Sequence, residues 1–174
     1  MCEGMTVSLG VFTKPVHVEK IVNYLNTRKD IDYVISTDKR ELYECYDFLV
    51  GVSYGFGSLI DVDRSGRPWF NYHPAPLPVY RGGDVYARAV HDRVIWWGVT
   101  LHRMTMEVDS GDIIRRRMFL LCSPPVSTNE IGCIAHYHLF QLFKESVGDL
   151  VEPVVWGVDC GVDESRGSID AVFH

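Results

Sequence analysis

Three short apolar segments in the first third of the chain constrain the fold most. Residues 6–12, 32–36 and 48–53 are rich in β-branched and aromatic side chains, and each is bounded by polar or turn-forming residues. Between them lie residues 17–25 and 39–46, in which apolar side chains recur at helical spacing. Strands that alternate with helices predict an α/β domain, because parallel strands need a crossover between them. We therefore expect a mainly parallel sheet flanked by helices.

The rest of the chain contains further predicted strands and helices. Residues 69–72, 96–104 and 113–121 are predicted strands, and residues 84–91 are a predicted helix. A last helix should begin at Thr128 or Asn129, either of which can act as its N-cap. A chain of 174 residues suggests one domain. We place a catalytic domain at residues 1–150, with an unassigned tail at 151–174.

Net charge, the length of apolar runs and cysteine content disfavour several classes of function. The net charge of −6 makes a polyanion such as nucleic acid an unfavourable partner. No apolar run reaches the roughly 18–20 residues that a membrane helix needs. The five cysteines are widely spaced and include no C-x-x-C pair, so we expect no metal site and a cytoplasmic location.

Asn71 and His73 are the first candidates for chemistry. They are two residues apart in a predicted strand, so both side chains should point to the same face. Prolines 74, 76 and 78 follow and force an extended loop at the strand's end. An amide can stabilise an oxyanion, and an imidazole can move a proton near neutral pH. This pair suits acyl transfer, although a turn-forming Asn and a structural His fit the pattern about as well.

A polar loop at residues 107–112 contributes three carboxylates, among them Asp109. The loop lacks the ligand pattern of an EF-hand, so calcium binding is not expected. It can equally be a solvated turn. Spacing along the chain does not place Asp109 near Asn71 or His73.

Two longer motifs carry a resemblance to a known family. Residues 71–83 (NYHPAPLPVYRGG) and 98–114 (GVTLHRMTMEVDSGDII) resemble the N10-formyltetrahydrofolate-dependent formyltransferases, in the order and at about the spacing of that family. Residues 53–60 (SYGFGSLI) resemble the strand and loop that precede the first motif. The resemblance implies a Rossmann-like formyltransferase domain, here with a shortened N-terminal half.

The same resemblance implies a set of site residues and no metal. Asn71, His73 and Asp109 match the family's catalytic Asn, His and Asp. N10-formyltetrahydrofolate would bind along two loops, mainly through backbone groups. These loops comprise Tyr54, Gly55, Phe56, Gly57, Ser58 and Leu59, and Met104, Thr105, Met106, Glu107 and Val108.

The resemblance also narrows the amine that would accept the formyl group. The turn at residues 13–17 lacks the glycines that hold the phosphate of glycinamide ribonucleotide in that branch of the family. The negative net charge and the absence of a C-terminal β-barrel disfavour tRNA. The motif GVTLHRM is most like the sugar N-formyltransferases. We therefore expect a nucleotide-linked amino sugar, with Arg81, Arg88 and Arg103 as candidate phosphate contacts.

Other functions remain open from the sequence. The chain could act on another small amine, hydrolyse formyltetrahydrofolate, or be an inactive relative that serves as a binding or regulatory module. A homodimer is a further possibility, and no membrane partner is expected.

Overall fold

The computed structural model describes residues 7–55 and 65–151. The strands are β1 (Val7–Thr13), β2 (Tyr33–Ser36), β3 (Phe48–Tyr54), β4 (Trp69–His73), β5 (Trp96–Arg103) and β6 (Ile113–Leu120). The principal helices are α1 (Pro15–Leu25), α2 (Lys39–Cys45), α3 (Val85–His91) and α4 (Thr128–Val151). The predicted strands and helices are confirmed, with ends that differ by a few residues.

The strands form one sheet in the order β2-β1-β3-β4-β5-β6. The pairs β1–β2, β1–β3 and β3–β4 are parallel. The pairs β4–β5 and β5–β6 are antiparallel, so the sheet is mixed. The predicted Rossmann-like fold with a mainly parallel sheet is confirmed, and β4 lies where the parallel part meets the antiparallel part.

Helix α4 covers one face of the sheet with an apolar stripe. Its buried residues include Ile131, Ala135, Leu139, Leu142 and Phe143. They lie about three or four positions apart, which places them on one side of a helix. The N-cap is Ser127, whose hydroxyl accepts from the backbone N–H of Glu130, one residue before the predicted caps.

A glycine makes room for an indole on the opposite face. Gly51 and Trp69 are partners in the β3–β4 register, and a Cβ on Gly51 would overlap the Trp69 ring. Trp69 is 2% exposed. This close packing contributes to the burial of β4 along its whole length.

Two sequence assignments lie outside the described residues. These are the loop assigned to Phe56–Leu59 and the tail after residue 151, so the domain boundary stays a prediction. Among the helices in the described ranges, none is long and apolar enough to cross a bilayer.

Candidate active site

Strand β4 places the side chains of Asn71 and His73 together in one buried corner, at the end of the strand. Both side chains lie on the same face of the strand, at 8% and 5% exposure. Tyr72 lies between them and points to the α4 face, where its ring packs against Phe143 at 5.2 Å between centroids. The buried strand therefore holds the amide and the imidazole at the carboxyl end of the parallel sheet, where α/β proteins bind ligands.

Asp109 reaches the same corner from the loop between β5 and β6. Its Oδ2 accepts a 2.8 Å hydrogen bond from the backbone N–H of Gly82 and lies 3.5 Å from Nδ1 of His73. Its Oδ1 lies 3.5 Å from Nδ2 of Asn71. The tertiary structure thus brings together the three residues for which a catalytic role was predicted. That role itself stays a prediction.

Asp109 adopts a left-handed backbone conformation with φ of 49°. Residues other than glycine occupy this region at a cost, and such residues cluster at functional sites. The side chain is only 10% exposed. The loop therefore holds Asp109 in an unfavourable backbone conformation, with its carboxylate directed inward.

His102 belongs to the same site, and sequence reasoning missed it. It is the register partner of Asn71 across β4 and β5, and it is 2% exposed. Its Nε2 lies 3.3 Å from Nδ2 of Asn71 and 3.4 Å from Oδ1 of Asp109. The available signal was the alternation of β5, which places His102 on the face opposite Leu101, but the antiparallel pairing with β4 was not predicted.

The hydrogen bonds assign the ring nitrogens of both histidines. A carbonyl oxygen only accepts, so Nε2 of His73 donates to Tyr80 O at 2.8 Å, and Nδ1 of His102 donates to Arg103 O at 2.9 Å. The free nitrogen of His73 then faces Asp109. The free nitrogen of neutral His102 accepts from Asn71, whereas a protonated ring donates to Asp109.

The electrostatics favour a neutral imidazole beside an ionised carboxylate. Burial lowers the pKa of His73 below its ordinary value, although Asp109 acts in the opposite direction. Burial opposes ionisation of Asp109, but its contacts with His102 and His73 and the hydrogen bond from the Gly82 N–H together leave its pKa below the usual range. His73 can therefore accept a proton near neutral pH, and Asp109 can stabilise the cation that results.

The amide oxygen of Asn71 is buried without a hydrogen-bond partner among the described residues. Such atoms are rare and call for an explanation, for which a bound group or water is sufficient. The corner therefore has unused hydrogen-bonding capacity beside its imidazole and carboxylate.

The two predicted folate loops are only partly described. Tyr54 and Gly55 end β3, while Phe56–Leu59 lie outside the described residues. Met104–Val108 lead directly to Asp109, and the side chains of Met106 and Val108 are exposed. Both side chains are therefore accessible to a bound group.

The predicted arginines differ in their surroundings. Arg88 donates to the carbonyls of Arg81 and Gly83, so its guanidinium supports the loop that supplies the Gly82 N–H. Arg81 and Arg103 are exposed. Phosphate contact by these arginines stays a prediction. Within the described ranges, no group of three or more His, Cys, Asp or Glu side chains could hold a metal ion.

Residues 50–122 match the family described as formyl transferase. This segment belongs to the formyl transferase family. The match contains Asn71, His73, His102 and Asp109, and it confirms the resemblance seen in the sequence.

Curated relatives of the formyl transferase segment include two kinds of enzyme. A methionyl-tRNA formyltransferase from Pseudomonas fluorescens is 31% identical over 114 residues, which cover 64% of this chain and 34% of the relative. A formyltetrahydrofolate deformylase from Bacillus subtilis is 32% identical over 97 residues, which cover 54% of this chain and 32% of the relative. The chain thus spans about a third of the length of these relatives.

Solved structures of formyl transferases share the fold. An N-formyltransferase from Helicobacter canadensis, in complex with folinic acid and dTDP-3-aminofucose, superposes with a TM-score of 0.68 at 16% identity, covering 83% of this chain and 64% of that one. A phosphoribosylglycinamide formyltransferase from Streptococcus pneumoniae superposes with a TM-score of 0.65 at 19% identity, covering 84% of this chain and 99% of that one. Identities this low establish the fold, and they leave the amine substrate open.

Proposed function

We propose that the Asn71–His73–Asp109 site transfers a formyl group from N10-formyltetrahydrofolate to a primary amine. The observation that carries the proposal is the convergence of these side chains in one buried corner of the segment that matches the formyl transferase family. Neither residue spacing nor the family match alone would require that convergence.

In this proposal each group has a role. The amine attacks the formyl carbon, and the charge that develops on the formyl oxygen is stabilised by an N–H of Asn71. The N–H that faces Asp109 is available for this role because its 3.5 Å contact is long. The other N–H remains directed at His102.

His73 and Asp109 would carry out the proton transfer. The proton that the amine loses passes to Nδ1 of His73, whose ring is neutral, and Asp109 stabilises the imidazolium from 3.5 Å. As the bond between the formyl carbon and N10 breaks, a proton returns to N10. The products are the formamide and tetrahydrofolate, and atoms and charge balance.

The described residues fit a folate co-substrate. Met106 and Val108 would flank it beside Asp109, together with backbone groups of residues 104–108. The co-substrate supplies the formyl group and the leaving nitrogen. The protein would orient this co-substrate beside Asn71, His73 and Asp109.

The proposed amine is carried by a nucleotide-linked sugar. The Helicobacter canadensis neighbour binds a folate together with a nucleotide-linked amino sugar, which supports this substrate class. The absence of glycine from residues 13–17, where β1 leads into α1, disfavours glycinamide ribonucleotide, and the net charge of −6 disfavours tRNA.

A second candidate is hydrolysis of formyltetrahydrofolate, with water in place of the amine. The Bacillus subtilis deformylase among the relatives favours it. The same His73 and Asp109 would activate that water.

One assay separates these functions. The full chain is mixed with N10-formyltetrahydrofolate, with and without a panel of nucleotide-linked amino sugars, and tetrahydrofolate release is measured. Turnover that depends on the amine supports transfer, and turnover without any amine supports hydrolysis. No turnover under either condition would contradict both and favour a binding or regulatory role. Cytoplasmic location and a homodimer stay predictions.

A further inference from the structure

Strand β6 leaves one edge of the sheet free. It pairs with β5 on one side and with no other strand of the described residues. A free edge presents unpaired backbone N–H and C=O groups, to which a strand of another chain can bind. Proteins commonly protect such an edge with charged side chains, with proline or with a covering segment.

The C-terminal half of β6 is apolar and exposed. Met118 and Leu120 are 49% and 60% exposed, and Trp96, the register partner of Leu120, is 58% exposed. Phe119 lies between the two and stacks on His138 of α4, with 3.7 Å between centroids. Since side chains alternate along a strand, Trp96, Met118 and Leu120 share the face that α4 does not cover. We call these three residues the edge patch, and its size indicates an interaction surface.

The three arginines of β6 are engaged by the chain itself. Arg115 pairs with Asp149 at 3.2 Å, and Arg117 pairs with Glu145 at 2.7 Å. Arg116 donates from Nη1 to the carbonyl oxygen of a residue in the proline-rich loop, at 2.9 Å. These contacts limit the use of the arginines as charged guards of the edge.

The backbone of Met118 is directed at the free edge. The backbone N–H of Leu121 donates to Ile95 O, so these two residues form a hydrogen-bonded pair. Such pairs alternate along an antiparallel ladder, and the β5–β6 register is regular over this half. The N–H and C=O groups of residues 116, 118 and 120 therefore point away from β5, where they can bind another strand.

We propose that β6 pairs with β6 of a second copy of this chain, antiparallel and centred on Met118, so that the two sheets join across a twofold axis. Met118 then lies opposite the partner's Met118, and Leu120 lies opposite the partner's Arg116. Arg117 lies opposite the partner's Phe119, and a cation beside an aromatic ring is favourable. The two edge patches adjoin beside the axis. The proposal does not rest on formyl transfer.

Charge selects this register among those that the backbone allows. A pair centred on Arg116 or Arg117 would place an arginine opposite the same arginine of the partner, and like charges directly opposite are destabilising. A pair centred on Phe119 avoids this, but it joins only residues 118–120 of β6. The register centred on Met118 joins residues 116–120 and places every arginine of β6 opposite an apolar residue.

The chain's own continuation is a weaker candidate for this edge. Helices α1 and α4 lie on the same face of the sheet, where the hydroxyl of Tyr24 donates to Lys144 O. The crossover from β1 through α1 to β2 leads away from β6, and such crossovers are right-handed in about 98% of cases. A crossover from β6 through α4 to a strand beyond β6 would lead the opposite way on the same face. It would therefore be left-handed, whereas a second copy carries no such penalty.

The first test measures the molar mass of the full chain by size exclusion with multi-angle light scattering, over a series of concentrations. We expect the mass of two chains at the higher concentrations. Met118→Lys and Leu120→Lys should each raise the dissociation constant at least about tenfold, because they place like charges opposite each other or bury a charge. Val16→Lys is the matched control on α1, where Val16 is 76% exposed, and it should dimerise like the parent. A parent chain that stays monomeric, or lysine variants of β6 that dimerise like the control, would overturn the proposal.

The second test addresses strand pairing and register. Met118→Pro removes an N–H that β5 does not use, so it should abolish the dimer and keep the circular dichroism spectrum. The lysine variants keep the proposal testable if the proline disturbs folding. Met118→Cys should form a disulfide with its own copy under mild oxidation, because Cα atoms of a hydrogen-bonded pair lie about 5.5 Å apart. Leu120→Cys is the control, since its opposite residue is Arg116, and the parent with its five cysteines is the reference. Equal cross-linking of the two cysteine variants would overturn the proposed pairing.

Discussion

Asn71 and His102 face each other across the antiparallel pair β4–β5, with Nδ2 of the amide 3.3 Å from Nε2 of the ring. The ring is itself anchored, because its Nδ1 donates to Arg103 O. His102 therefore fixes the rotation of the Asn71 amide and aims its second N–H towards Asp109. An amide held in this way needs little reorganisation when charge develops beside it.

Replacement of His102 should impair the reaction more than the binding of reactants. We expect His102→Ala to lower kcat about 100-fold, the cost of misplacing a catalytic group by about an ångström, with KM little changed. His102→Gln, which keeps an acceptor for Asn71, should recover part of this loss. Steady-state kinetics and circular dichroism check both variants, with His91→Ala as the control. If His102→Ala and His91→Ala had equal kcat, His102 would only fill space.

His73 and Asp109 should both be needed for turnover. We expect His73→Ala and Asp109→Ala each to lower kcat at least ~100-fold, because general acid–base catalysis contributes about 10²–10⁴. Tetrahydrofolate release reports the rate. Near-normal turnover in either variant would contradict the proposed proton transfer.

Asn71 should act on the transition state and not on folate binding. We expect Asn71→Ala to lower kcat roughly 10²–10³-fold, the usual effect of losing one oxyanion donor. The dissociation constant for folate, measured by fluorescence titration, should change little, because backbone groups of the loops provide most of the predicted contacts. A large loss of folate affinity would instead make Asn71 a binding residue.

The pH dependence should follow the lowered pKa of His73. The neutral ring is the reactive form, so kcat/KM should fall as the ring is protonated, at a pH below the ordinary histidine value of 6.5. Asp109 favours the protonated ring, so Asp109→Asn should lower the pKa of His73 further. NMR titration of the His73 ring in the parent and in Asp109→Asn measures this. A midpoint that rises in the variant would contradict the assigned contact.

Gly51 should be required for stability. We expect Gly51→Ala to lower the free energy of unfolding by roughly 1–3 kcal/mol, because the added methyl overlaps the buried Trp69 ring. Urea denaturation measures the change. Gly83→Ala is the matched control, since a Cβ there has no neighbour within 4 Å, and it should change stability by less than about 0.5 kcal/mol. Equal stability of the two variants would show that the strands shift to accept the methyl.

Much of the fold could be predicted because the interactions that determine it are local. A short apolar run predicted the residues of β3, and helical spacing predicted those of α4. The two-residue spacing placed Asn71 and His73 on one face. The cap of α4 was misplaced by one residue because Ser127, Thr128 and Asn129 are all competent caps. The local sequence therefore permits several N-caps, and the folded chain uses Ser127.

The sequence by itself determined the alternating strands and helices, the pairing of an amide with an imidazole at a strand end, and the motifs of the formyl transferase segment. Only the tertiary structure decided that Asp109 turns inward to His73, that His102 lies opposite Asn71, and that His17 and His136 meet beside Tyr54. The physical reason is that periodicity and turn chemistry act over a few residues. Contacts between distant strands and helices depend on sheet order and register, which the burial of the whole core selects.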